Sequence, residues 1–289
     1  MSKAIWLELT GGLGNQMFQY ALGRALALRS GGELLFDTRV LARDPQRSYA
    51  LDGLRVAGRI ALPDELPMRW GRVTRRAPWL SRLLGGPRLV AERGFAYDPA
   101  VAILAPPVAL HGNWQSERYF ADAGATIRGD FALAERLDER REALADEIAA
   151  TPQSVSVHVR RGDYVSNPTA NAYHGTCVPA WYAAAKARLD AALPGARYFV
   201  FSDDVAWGRA NLAEFGAADF VEPAADGRDE RDMHLMSLCR HHIIANSSFS
   251  WWGAWLDPRA DKRVIAPARW FAGAAHDTRD LIPPTWERL

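Results

Sequence analysis

The chain has 289 residues, 48% of them hydrophobic and 24% charged, with a formal net charge of +1. That length suits two domains of ordinary size, the composition is that of a globular protein, and the near-zero charge excludes an overall attraction to nucleic acid. Cys177 and Cys239 cannot build a disulfide framework, and neither the opening residues nor any later segment is apolar enough for a leader or a bilayer span. The expectation is a cytoplasmic protein with reduced thiols and at most peripheral membrane contact.

Ala4 to Leu9 reads as a strand. Gly11-Gly-Leu-Gly-Asn-Gln then opens a helix expected from about Asn15 to Arg29, with Met17, Phe18, Ala21, Leu22, Ala25 and Leu28 on one face. Glu33 to Asp37 is a second strand, so the chain starts as a βαβ unit whose glycine-rich turn can seat an anion at a helix N-terminus. Gly12, Gly14 and Asp37 also allow a dinucleotide fingerprint, but Met17 stands where its third glycine belongs and would obstruct close helix packing. From Thr38 to Pro107 the pattern breaks into short pieces rich in Arg, Pro and Gly, and no element is assigned there. Val108 to His111 is a strand, Ser116 is placed to cap a short helix, and Ala134 to Ala150 is a charged amphipathic helix. Thr151-Pro152 follows, and the domain boundary is set there, giving residues 1–150 and 151–289.

The second half alternates more cleanly. Strands are expected at Ser154 to Val159, Tyr198 to Ser202, near Phe220, at His242 to Ala245 and at Arg263 to Ala266. Helices are expected at Pro179 to Leu193, from Val205, from about Glu230 to Cys239 and from Ser247. Such alternation means a parallel sheet covered on both faces.

His158-Val-Arg-Arg-Gly-Asp-Tyr-Val is the stretch on which function turns. In an open α/β sheet, ligands bind beyond the carboxyl ends of the strands, and an arginine fork suits phosphate oxygens. Alternation puts His158 and Arg160 on one face of the strand and Val157, Val159 and Arg161 on the other. Arg160 and His158 are therefore assigned to an anionic ligand, and Arg161 to internal pairing with a carboxylate such as Asp163. Gly162 lets the chain turn. Asp203, at the end of the next strand, is placed to accept N–H groups of a ligand, with helix capping by Ser202-Asp203-Asp204 as the alternative. Asn246-Ser247-Ser248-Phe249 opens a helix after a third strand and forms a further anion seat. The three rim elements together fit a nucleoside diphosphate. Trp251, Trp252, Trp255, Trp270 and Trp286 are expected to pack the core; a sugar platform in a non-catalytic carbohydrate-binding protein is the rival use.

With Gly11-Gly-Leu-Gly-Asn-Gln-Met-Phe-Gln-Tyr, His158-Val-Arg-Arg-Gly-Asp-Tyr-Val, Phe201-Ser-Asp-Asp and Ile244-Ala-Asn-Ser-Ser-Phe-Ser-Trp-Trp-Gly-Ala-Trp-Leu, the sequence resembles the α-1,2-fucosyltransferases of glycosyltransferase family 11. The resemblance implies a GT-B fold, two Rossmann-like domains facing across a cleft, with residues 151–289 holding GDP-fucose and residues 1–150 offering the acceptor surface. It implies inverting, metal-independent transfer of L-fucose from GDP-β-L-fucose to the 2-hydroxyl of a galactose-terminated oligosaccharide; another linkage or acceptor is the alternative. By position, Arg160 corresponds to the arginine at the β-phosphate, His158 and Asp203 to guanine contacts, and Ser247, Ser248 and Phe249 to the pyrophosphate seat. Asn15 corresponds to the asparagine of the glycine-rich turn facing the reacting centre. For the base, Asp163 is nominated, with Asp37 and Glu117 as competitors that spacing does not separate.

Overall fold

The computed structural model describes residues 3–67, 81, 85–162, 165, 167–273 and 276–289. The chain divides into two units, Met1–Ala134 with Asp277–Leu281, and Glu135–His276 with Ile282–Leu289.

The first unit is built on a parallel sheet ordered β3-β2-β1-β5-β4. Its strands are β1 (Ala4–Glu8), β2 (Glu33–Asp37), β3 (Arg59–Ile60), β4 (Arg88–Ala91) and β5 (Val108–His111). Helix α1 (Leu13–Ser30) follows β1 and ends at Gly31 in the left-handed conformation that glycine adopts without strain. Its close approach to the sheet is made at Gly23, where an added Cβ would stand 2.6 Å from both δ-methyls of Leu7. That is the packing role a third fingerprint glycine would have played, shifted along the helix. The stretch from Thr38 to Pro107 holds only short pieces among its described residues: a 3-10 turn at Leu41–Arg43, β3, β4 and α2 (Pro99–Ala102). Ser116 accepts the N–H of Arg118 and caps a 3-10 turn, and α3 (Gly124–Asp130) follows. The tail returns to this unit because the Asp280 carboxylate accepts the Tyr97 N–H at 3.0 Å and Arg118 at 2.7 Å.

The second unit carries a parallel sheet ordered β11-β10-β9-β6-β7-β8. Its strands are β6 (Ser154–Val159), β7 (Arg197–Ser202), β8 (Asp219–Val221), β9 (His241–Ile243), β10 (Val264–Ala266) and β11 (Glu287–Arg288). The helices are α4 (Glu139–Ala150), α5 (Pro168–His174), α6 (Pro179–Ala192), α7 (Val205–Asn211), α8 (Asp229–Leu238) and α9 (Ser248–Leu256). The division of the chain thus falls before α4, not after it at residue 150. Arg141 on α4 explains why, since it donates to Asp232 at 3.0 Å and to the Glu222 carbonyl at 3.2 Å, both in the second unit.

β6 is buried along its whole length. Val155, Val157 and Val159 pack against Tyr182, Ala185 and Leu189 of α6, while the alternate residue His158 lies against Phe249 of α9. The late tryptophans are core: Trp251 and Trp252 are fully buried, Trp255, Trp270 and Trp286 nearly so, and Trp251 contacts Trp252, Trp255 and Trp286. They offer no sugar platform. In each unit strand order reverses beside the first strand, between β1 and β5 and between β6 and β9, which is where open parallel sheets form their ligand crevices. Among the described residues no helix is long and apolar enough to cross a membrane.

Candidate active site

On the β7 side of β6, next to the second unit's reversal point, the parallel register of β6 with β7 pairs His158 with Phe201 and Val159 with Ser202. The residues just beyond therefore meet. Arg160 Nη1 bonds Asp203 Oδ2 at 2.8 Å, and the backbone N–H of Arg161 donates to Asp203 Oδ1 at 2.8 Å. Gly162 serves this clamp by its lack of a side chain, because a Cβ there would lie 2.6 Å from Asp203 Oδ2. Arg161 points elsewhere: its Nε reaches Asp204 at 3.3 Å and its guanidinium lies 4.1 Å over the Trp207 ring. Asp204 also caps α7 by accepting the Trp207 N–H. The two aspartates thus divide the work that the sequence left open between them. The partner of Arg161 is Asp204; Asp163, expected in that role and as base, lies outside the described residues.

His158 is buried, its ring 5.3 Å from that of Phe249. Burial, and then the charge of Arg160, push its pKa down to about 3, so the ring is neutral at neutral pH. Its Nδ1 is buried and has no hydrogen-bond partner among the described residues. Such an orphan costs about 1–3 kcal/mol and asks for an explanation.

Asn246 does not belong to this rim as expected. Its amide nitrogen donates to the carbonyls of His174, Gly175 and Trp270, and its oxygen lies 3.8 Å from Cys177 Sγ, so the side chain ties loops together. Ser247 is the N-cap of α9 yet makes no side-chain cap bond, while Ser248 and Phe249 form a half-buried first turn. Cys177 and Cys239 are free thiols, both pushed up by burial, Cys177 to about 11. Ser156, His242 and Asp257 form a hydrogen-bonded line, 2.8 Å and 3.2 Å, that is completely buried. It joins β6 to β9 and has no access to a substrate.

At the first unit's reversal point, Gly11 adopts φ +73°, and the Asn15 side chain folds over it so closely that a Cβ would stand 2.5 Å from Nδ2. Gln115 Nε2 donates to Asn15 Oδ1 at 2.8 Å. Gly12 is the N-cap of α1, with Arg47 Nη1 3.6 Å from where its Cβ would be, and Gly14 is buried in the first turn. Gln16 braces the turn by donating to the Gly11 and Ser48 carbonyls, and Gln19 by its bonds to Thr10. Asp37 is buried in an ion pair, Arg39 Nε bonding both its oxygens at 2.9 and 3.1 Å. Glu8 and His111 are bonded to each other at the ends of β1 and β5. Sequence reasoning missed this pair and the glutamines, although strand-end position alone would have singled out His111. Among the described residues no three His, Cys, Asp or Glu side chains converge to hold a metal ion.

The model of glycosyl transferase family 11 matches residues 105–288. An α-1,2-colitosyltransferase of Escherichia coli is 36% identical over 290 residues, covering 98% of this chain and 97% of its own. A galactoside α-(1,2)-fucosyltransferase 1 of Saimiri boliviensis boliviensis is 26% identical over 85% of this chain, which spans 63% of that protein's length. The solved structure of the α-1,6-fucosyltransferase NodZ co-crystallised with GDP aligns with a TM-score of 0.54 at 16% identity, covering 92% of this chain and 95% of that one. That likeness and the two parallel α/β units make the fold GT-B. The chain belongs to glycosyltransferase family 11, and it is a glycosyltransferase of the fucosyltransferase-like kind.

Proposed function

We propose that the protein transfers L-fucose from GDP-β-L-fucose to the 2-hydroxyl of a terminal galactose, with inversion and without a metal. The observation that carries this is the orphaned His158 Nδ1 beside the Arg160–Asp203 clamp at the β6 end. It gives a GDP a polar anchor and a cation beside a sheet's reversal point. Asp203 bonds both arginines, so it positions Arg160 and meets guanine through its remaining lone pairs. As the bond from the anomeric carbon to phosphate breaks, negative charge grows on GDP. Arg160 and the first turn of α9, with Ser247, Ser248 and Phe249, are preorganised to receive it. That fixed cation is the neutralising charge a metal would otherwise bring. In the first unit Gly12 and Gly14 of the glycine-rich turn contribute to the donor site, and Asn15 faces the reacting centre.

The colitosyl relative favours one second reading, a GDP-colitose donor with the same α-1,2 chemistry. Incubation with lactose and either GDP-fucose or GDP-colitose, read by GDP release and product mass, separates the two. NMR of the product is expected to show an α linkage at the galactose 2-position. A product linked elsewhere, or no GDP release from either donor, overturns the proposal. Chelator is expected to leave the rate unchanged; loss of turnover restored by Mg²⁺ would remove the metal-free part.

A further inference from the structure

Glu8 and His111 end the two strands that flank the reversal of order in the first unit, one step beyond the paired Leu7 and Leu110. Glu8 Oε1 bonds His111 Nδ1, and the side chains are 10% and 29% exposed respectively. A largely buried carboxylate on Nδ1 fixes the ring and directs Nε2 away from the carboxylate. A second carboxyl near the ring is Glu92, beyond β4. Its carboxyl accepts the N–H groups of Asn113 and Trp114 and is raised above its ordinary pKa by burial. Those two bonds hold the segment directly after His111, where Trp114 takes φ 56°, an uncommon conformation for a residue with a side chain. Gln115, one residue on, holds Asn15. His111 is thus oriented by its own carboxylate, partly exposed, and mounted on a braced rim beside the glycine-rich turn.

We infer that His111, oriented by Glu8, is the general base that receives the proton of the acceptor hydroxyl. The inference rests on the transferase reading above. As the acceptor oxygen bonds to the anomeric carbon, the carbon–oxygen bond to GDP breaks and its electron pair leaves with the phosphate. The hydroxyl proton passes to His111 Nε2, and the imidazolium later returns it to water. Asp37 cannot do this, because it is buried and held in the Arg39 fork.

The test compares whole-chain wild type with His111→Gln, Glu8→Gln and His111→Ala, using the donor and lactose. His111→Gln is expected to lower kcat by about a hundredfold or more and to leave GDP affinity, read by calorimetry, unchanged. Glu8→Gln is expected to lower kcat less and to shift the acid limb of the pH–rate profile, and added imidazole to restore turnover to His111→Ala. A purely structural dyad would instead lower the melting temperature without moving that limb. If wild type turns over and a folded His111→Gln keeps kcat within about threefold, or an unfolded one is accompanied by a Glu8→Gln with an unmoved acid limb, the base assignment is wrong and the transferase reading stands. If wild type releases no GDP from either donor, both fall together.

Discussion

Arg160 and Arg161 are neighbours in sequence and strangers in environment. Arg160 sits in the Asp203 clamp at the strand end; Arg161 lies between Asp204 and the face of Trp207. Arg160→Ala is expected to lower kcat by about a hundredfold or more, the usual cost of removing a preorganised donor to developing charge. Arg160→Lys keeps the charge but not the fork and is expected to recover only part of it. Arg161→Ala is expected to lower the melting temperature and spare most of kcat. Steady-state kinetics with thermal melts on both variants checks this, and the reverse pattern would show that the faces have been exchanged. Strand alternation made the division of the two arginines legible in the sequence. Their partners were not legible, because Asp203 and Asp204 come opposite them only through the register of β6 with β7. Asn246 misled for a related reason: its position beside a helix start looked like an anion seat, and only tertiary packing shows three carbonyls around its amide.

Glycines set how closely the elements approach. Gly162→Ala would drive a methyl into the Asp203 carboxylate, and loss of a charged hydrogen bond in the clamp is expected to weaken GDP binding by about tenfold. Titration calorimetry reads this; unchanged affinity would mean the clamp does not serve the nucleotide. Gly23→Ala would overpack α1 on β1 at Leu7 and is expected to cost about 1–3 kcal/mol in urea unfolding, with GDP affinity unaffected. The long helices and the buried strands were legible because each shows its period over several turns or residues. α3 and α5 were not, since one or two turns display no period, and β11 is two residues added to an edge. In the Thr38 to Pro107 stretch the elements are shorter still, and their order comes from pairing with β2 and β5.

For the whole molecule, buried histidines set the response to acid. His158 and His242 are held neutral by burial, with pKa values pushed down to about 3 and about 4. Unfolded, each would take a proton near pH 6.5. Below that pH the unfolded chain binds more protons than the folded one, so stability falls by roughly 1 kcal/mol per pH unit for each histidine, down to about pH 4 for His242 and about pH 3 for His158. Asp232, raised to about 6 by burial in spite of Arg141, acts in the opposite sense between pH 6 and 4, as does Glu92, also raised by burial; His234 and His241, lowered by burial, act with His158 and His242, so the loss is slowed without being reversed. Calorimetric melts are expected to show a lower melting temperature at pH 5 than at pH 7, and equal values would mean the histidines are charged or exposed in the fold.

The return of Asp277–Leu281 to the first unit means that the chain passes between units three times, at 134/135, 276/277 and 281/282. Chimeras that join the front of one family member to the back of another at a single crossover would therefore part Asp280 from Tyr97 and Arg118, which it holds. A transplant of donor or acceptor preference between relatives calls for two grafts, residues 1–134 and the five-residue loop near the C-terminus, moved as one module.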